Sequence, residues 1–204
     1  MPRRVVVVPL LEPAWTPPGV APARWRRALA DDVVDLLATL AEVEPALAVA
    51  EAERPLAEAV AWPSMRVYPL EAPTVPAILA AAGRDGFGQA AIVAPDAPDL
   101  PGMLIAKLLR PLTTRPLAAA PDAASPAGLV GLASRLPAPE WLDIELDTAT
   151  VGSIRAQAPA VTEIIGTPGW HRLRSPEALT RLDPGLDGWD ATRAILSGGT
   201  VSSR

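Results

Sequence analysis

Apolar residues arrive in two rhythms along this chain. Residues 4–10, RVVVVPL, form a continuous β-branched run, the pattern of a strand buried on both faces in a parallel sheet. After a proline-rich loop at 11–22, Leu29, Val33, Leu36, Leu37 and Leu40 recur at helical spacing and predict a helix over 23–42. The alternation then repeats. Strands are expected at 45–50, 65–70 and 89–94, separated by helices at 55–61 and 74–83. The first of these strands is alanine-rich, which pulls toward helix. The second helix is closed by Gly83 and the Asp85-Gly86 turn. Leu104, Leu108, Leu109 and Leu112 predict a helix over 101–112. Strands follow at 116–120 and 128–132, and helices at about 150–157, 175–182 and 189–196. Asp143, Glu145 and Asp147 alternate as if on one face of a short strand, where a solvated edge explains them as well as a metal does. Strand–helix alternation of this kind predicts an α/β fold: one three-layer α/β/α domain over 1–204, on a mostly parallel, mixed sheet with right-handed crossovers. Residues 170–204 are expected to form its C-terminal helical segment.

Composition narrows the chemistry. Half of the 204 residues are hydrophobic, enough for a sizeable core. The 25 prolines lie mostly between apolar segments, so they punctuate ordered elements. A net charge of −5 argues against nucleic acid as a partner, which needs a basic surface. There is no cysteine and one histidine, His171, so thiolate chemistry, iron–sulfur centres and multi-histidine zinc are not expected, nor is haem. The apolar start is too short for a signal peptide and soon meets Pro9, Glu12 and Pro13. No segment has the roughly 18 apolar residues of a membrane span, and a cytoplasmic location is the default expectation.

In open α/β sheets, ligands bind beyond the carboxyl ends of the strands. Three segments fall there: the first loop, the turn Pro95–Pro101 and the loop 121–128. The turn reads Pro-Asp96-Ala-Pro-Asp99-Leu-Pro. Its carboxylates suit magnesium or manganese, with a nucleotide phosphate completing the shell. Asp99 also fits as the N-cap of the next helix. The first loop offers Gly19 and then Arg24, Arg26 and Arg27, which would clamp phosphates or form a solvated arginine face. It matches neither a P-loop nor a dinucleotide fingerprint. His171 has no visible partner in the sequence, so a surface or packing role explains it better than acid–base work.

The segment Ala91-Ile92-Val93-Ala94 followed by PDAPDLP resembles the "G-S-D-S-P-D-L-P" turn of a bacterial family of GT-A-type glycosyltransferase-like proteins, the DUF2064 family, related to the 2-phospholactate guanylyltransferases. Further likeness comes from Ala120-Pro121-Asp122 with Gly128-Leu129-Val130-Gly131-Leu132, from Ile144–Thr148 with Val151, and from Leu173–Leu179, so that it spans 89 to about 182. The resemblance implies a nucleotide-diphospho-sugar transferase fold. It also implies a nucleotide or nucleotide-sugar partner held by Gly19, Arg24, Arg26, Arg27, Asp96, Asp122 and Gly128, with Mg or Mn on Asp96 and Asp99. Three departures stand beside it. The first loop lacks the family's Lys-Thr-Arg. Ala124-Ser125-Pro126-Ala127-Gly128 replaces its Asp-Gly-Gly. Arg172 and Arg174 stand in place of its acidic "D-V-D-T". Arginine for carboxylate reverses the local charge and repels a divalent cation unless a phosphate intervenes. Two functions remain open: a nucleotidyl- or glycosyl-transferase, and a catalytically degenerate relative acting as a binding or partner subunit, in a homo-oligomer or with another protein.

Overall fold

The computed structural model describes residues 2–198. Seven strands, β1 (Arg4–Pro9), β2 (Glu44–Ala50), β3 (Arg66–Leu70), β4 (Gln89–Val93), β5 (Leu117–Pro121), β6 (Leu129–Arg135) and β7 (Ile164–Gly166), form one sheet in the order β3-β2-β1-β4-β6-β5-β7. β6 pairs antiparallel with both β4 and β5, and the other pairings are parallel. The sheet is therefore mixed, as the pattern predicts. The edges are blunted. β3 carries Pro69, tolerable on an edge strand, and β7 is three residues long.

The helices are α1 (Pro22–Ala38), α2 (Arg54–Val60), α3 (Val75–Arg84), α4 (Gly102–Leu109), α5 (Val151–Gln157) and α6 (Asp190–Leu196). Strand pleating sends alternate side chains to opposite faces. Val6 and Val8 of β1 meet α1, α2 and α4 through Val33, Leu37, Val60 and Ile105. Val5 and Val7 meet α3 and α5 through Ile78 and Ile154. A third cluster binds the start of α1 to the C-terminal segment, with Trp25 and Leu29 against Leu173 and Ile195. Below it, Asp32 of α1 accepts from the amides of Ala191 (2.9 Å) and Thr192 (2.8 Å), capping α6 from another helix.

Three expectations change. Residues 143–147 are an irregular segment running into a turn at 146–148, not a strand, because Leu142, Ile144 and Leu146 are drawn under the sheet face while the acids between them stay at the surface or half-buried. The helix expected at 175–182 is a 3-10 helix over Pro176–Arg181. Strand β7 has no counterpart among the predicted elements. The end of the expected C-terminal helical segment, 199–204, lies outside the described residues.

Candidate functional site

With β6 alone reversed, the carboxyl ends of β1, β2, β3, β4, β5 and β7 share one edge of the sheet. The chain leaving β7 crosses that edge. Trp170 pairs in parallel with Asp122, and the Ala123 amide donates to the Trp170 carbonyl at 2.9 Å. Gly169 makes the crossing feasible, since any Cβ there would run into the Pro121 carbonyl. Next, the Leu173 amide donates to the Asp96 carbonyl at 2.7 Å. These backbone bonds lay Trp170, His171 and Arg172 over the Pro95–Pro101 turn.

Arg172 lands on Asp96. Its Nε donates to Oδ1 at 2.5 Å and its Nη2 to Oδ2 at 3.0 Å, a bidentate pair. The side chains are 2% and 5% exposed, so water screens the pair little. The third nitrogen, Nη1, donates to the Leu129 carbonyl at 3.2 Å. It also lies 2.8 Å from Asp147 Oδ1, a charge contact without hydrogen-bond alignment. Burial works against the Arg172 charge, but Asp96 and then Asp147 outweigh it, and the guanidinium's hold on its proton is strengthened. Arg174 adds a second cation to Asp147, through its carbonyl at 3.1 Å and its carboxylate at 3.3 Å.

Asp99 is also satisfied, and not as a helix cap. The N-cap of α4 is Pro101, with no side-chain bond. The fully buried Asp99 carboxylate accepts from Trp170 Nε1 at 3.0 Å and from the Asp183 amide at 3.3 Å. His171 Nε2 lies 3.0 Å from its Oδ1, an ion pair when the imidazole is protonated. Burial pushes the Asp99 carboxyl up, the His171 and Trp170 hydrogen bonds pull it down, and the net is below the ordinary carboxylate value.

The first-loop candidates separate. Arg26 is buried and turned inward, holding Glu12, Glu53 and the carbonyls of Leu10 and Leu11. Glu53 drives its pKa up against burial. Arg27 pairs with Asp31 along α1 and lines a different cavity, about 530 Å³, with Asp35 and Asp190. Arg24 is exposed at the start of α1. Gly19, at φ +79°, is the third residue of a Pro17–Val20 turn closed by a 3.1 Å bond, which accounts for the glycine without a ligand. Asp122 turns back to its own loop, its Oδ1 accepting from the Ala124 amide at 2.8 Å. Gly128 packs under Asp147 and Arg174.

This arrangement does not fit the expected cation. Asp96 is filled by Arg172 and Asp99 by Trp170, His171 and Asp183. Among the described residues no group of three or more His, Asp or Glu side chains is placed to hold a metal ion. The cavity beside Asp96, bounded by Leu11, Arg26, Pro95 and Arg172, measures about 10 Å³, near the space of one water. An open cleft of about 250 Å³ lies on the β1 and β3 side of the same edge, between Leu11, Ala72, Thr74, Val75, Ile144 and Asp147. Thr74 at its rim also caps α3, accepting from the Ala77 amide at 3.4 Å.

The charge reversal at Arg172 and Arg174 is visible in the sequence, but its target, Asp96, lies 76 positions away. The partners of His171 and Asp147 are equally remote, Asp99 lying 72 positions before His171 and Arg172 25 after Asp147. The one local signal was Gly169 ahead of the polar-aromatic run Trp170–Arg172.

The fold of this chain, a mixed sheet with strand order 3-2-1-4-6-5-7, is similar to that of solved nucleotidyl- and sugar-transferase structures. No family model and no curated protein matches the chain. Solved structures do. A candidate nucleotide-diphospho-sugar transferase of Desulfovibrio desulfuricans G20 is similar at TM-score 0.66 and 17% identity, covering 97% of this chain and 96% of its own. A cytidylyltransferase of Leptospira borgpetersenii is similar at TM-score 0.57 and 9% identity, covering 98% of both chains. Glucosyl-3-phosphoglycerate synthase of Mycobacterium tuberculosis, solved with Mn2+, UDP and glucosyl-3-phosphoglycerate, is similar at TM-score 0.57 and 13% identity, covering 98% of this chain and 82% of its own. At such identities the likeness establishes the fold and leaves the chemistry to the site.

Proposed function

We propose that this chain is a GT-A-like binding protein that has lost metal-assisted transfer and takes a nucleotide or nucleotide-sugar into the cleft between β1 and β3. The carrying observation is the Arg172 guanidinium seated on Asp96. In the synthase of Mycobacterium tuberculosis, Mn2+ accompanies UDP. Here the carboxylate expected to hold such an ion is neutralised from within the chain.

The cleft suits a ring with hydroxyls better than a phosphate chain. Its lining includes Glu145 and Asp147 and no lysine or arginine. Leu11, Val75 and Ile144 would bury a base or sugar face, and the two carboxylates would accept from hydroxyls or an exocyclic amine. Arg172 and Arg174 both reach Asp147 at this rim, and Arg174 is the more exposed of the two.

A thermal-shift screen of GTP, CTP, UDP-glucose and GDP-mannose, each with and without Mn2+, tests the reading. A ligand selective for the folded state raises Tm by mass action. The expected result is stabilisation by one of these ligand types, equal with and without Mn2+, and no turnover. Stabilisation that requires Mn2+, or nucleotide-sugar turnover, would restore the transferase. No stabilisation by any of them removes the nucleotide.

A further inference from the structure

We infer that Arg172 is a tethered counter-ion filling an oxygen-ligand set that takes a divalent cation once the guanidinium is removed. Three oxygen groups from three separate parts of the chain converge on this one side chain. They are the Asp96 carboxylate (2.5 and 3.0 Å), the Leu129 carbonyl (3.2 Å) and Asp147 Oδ1 (2.8 Å). Two carboxylates and a carbonyl, with no nitrogen or sulfur donor, make the donor set of magnesium, manganese or calcium. Asp147 Oδ1 is the telling member. It is buried and lies 2.8 Å from Arg172 Nη1, so the guanidinium is the charge it faces.

The set is built around the cation, not merely near it. The Arg172 side chain is 2% exposed, and every nitrogen of its guanidinium meets an oxygen. Taking the guanidinium away leaves the Asp96 carboxylate buried and Asp147 half-buried beside it, without a compensating positive charge. Such a pair either takes up a proton or recruits a cation. The space vacated by the long side chain would admit a partly hydrated ion. The inference concerns the ion site alone and stands independently of what enters the cleft.

The test uses the full chain with Arg172→Ala, Mn2+ as the probe, and Tm together with calorimetric Mn2+ titration as the readouts. The wild type should neither shift nor bind at millimolar Mn2+. Arg172→Ala should melt several degrees lower in metal-free buffer and regain most of the loss with Mn2+. Arg172→Ala combined with Asp96→Asn should lose that response. Arg172→Lys, which restores a tethered charge, should again be insensitive. If Arg172→Ala folds only when Mn2+ is present, the inference is equally supported. Arg172→Gln gives a second neutral side chain that leaves less of a void. Absence of any Mn2+ response in both neutral variants overturns the inference, as does failure of both to fold with Mn2+ present, or a Mn2+ response in the wild type equal to theirs. A wild type that binds no nucleotide would sink the binding reading above and leave this result untouched.

Discussion

Two neighbouring stretches of one sheet edge have been finished in opposite ways. On the β4, β5 and β7 side, Asp96, Asp99 and Arg172 are buried and each meets donors or acceptors from the chain itself. On the β1 and β3 side, Leu11, Val75 and Ile144 border an open cleft of about 250 Å³. The first stretch is closed by charge pairing, which is only stable when complete. The second is lined by apolar Leu11, Val75 and Ile144 with Glu145 and Asp147 at its rim, and leaving it unfilled costs mainly exposed apolar area. The turn on which the resemblance places cation and phosphate is filled by the chain's own side chains, and the free space lies beside it.

The sharpest way to break this contrast is to remove one partner of the closed side. Asp96→Ala leaves Arg172 with its charge buried and only Leu129 and Asp147 to meet it, and should cost about 3–5 kcal/mol in urea unfolding. Replacing both, Asp96→Leu with Arg172→Met, should recover most of that loss, because apolar side chains of similar size need no partner. Equal losses in the single and double variants would mean that packing, not pairing, closes this half.

How far the sequence reveals this organisation depends on the range of the interaction. Strands β1 and β4 are legible because their apolar runs are local. Strand β2 is legible despite four residues that favour helix or break strands, Pro45, Ala46, Ala48 and Ala50, because burial between β1 and β3 overrides propensity. Strand β7 is not legible. Three residues give no period, and Ile164 becomes a strand residue only by pairing with Leu117. Asp96 is legible as a residue of the strand-end turn, from the rule that parallel strands point their carboxyl ends at one edge. Its state is not, because the group that neutralises it arrives from beyond β7 through a crossing made of backbone bonds. Arg26 shows the same limit. It reads as a surface cation near a helix start, yet Glu12 and Glu53 draw it inward.

Asp32 sharpens the comparison by showing burial without a cation. Burial pushes its carboxyl up to about 6 from 3.8, against the hydrogen bonds from Thr192 and Ala191. Asp99, with the hydrogen bonds of His171 and Trp170, moves the other way. The signs follow. Asp32 binds a proton more tightly folded than unfolded, so its contribution to stability is fully present below pH 3.8 and is lost as pH rises through about 6. The shift corresponds to roughly 3 kcal/mol across that window. Asp99 contributes above the ordinary carboxylate range and loses its contribution as pH falls through its lowered value. Asp32→Asn should therefore flatten the fall in stability between about pH 4 and 6. Asp99→Asn should steepen nothing there and lower stability at neutral pH. Unfolding free energies measured from below pH 3.8 to well above about 6 decide both. An unchanged slope in Asp32→Asn would show that the α6 cap is hydrated.

Gly169→Ala acts on the crossing rather than on a charge. A Cβ would force the segment off Pro121 and shift the Trp170–Leu173 register on which Asp96 and Asp99 both depend. The expected loss is about 2 kcal/mol, smaller than for Asp96→Ala because the segment can lift without leaving a charge buried alone. Fluorescence of the tryptophans should change with it, since Trp170 would lose its bond to Asp99. A variant as stable as the wild type, with Trp170 emission unaltered, would mean that the edge is closed by the ion pair alone.

The smallest structural change tests the open side. Ala72 is exposed at the rim of the cleft, outside the α3 cap and the buried core. Ala72→Trp should alter unfolding by less than about 0.5 kcal/mol, as surface substitutions do. The indole would nevertheless occupy much of a cleft of about 250 Å³. If nucleotide or nucleotide-sugar enters there, the ligand-induced rise in Tm should disappear in Ala72→Trp and survive in Ala72→Ser, which keeps the rim small. Loss in both would locate the ligand's dependence in the backbone of the β3–α3 loop rather than in the space it encloses. A full ligand response in Ala72→Trp would place binding outside this cleft and leave the contrast between the two stretches a matter of folding alone.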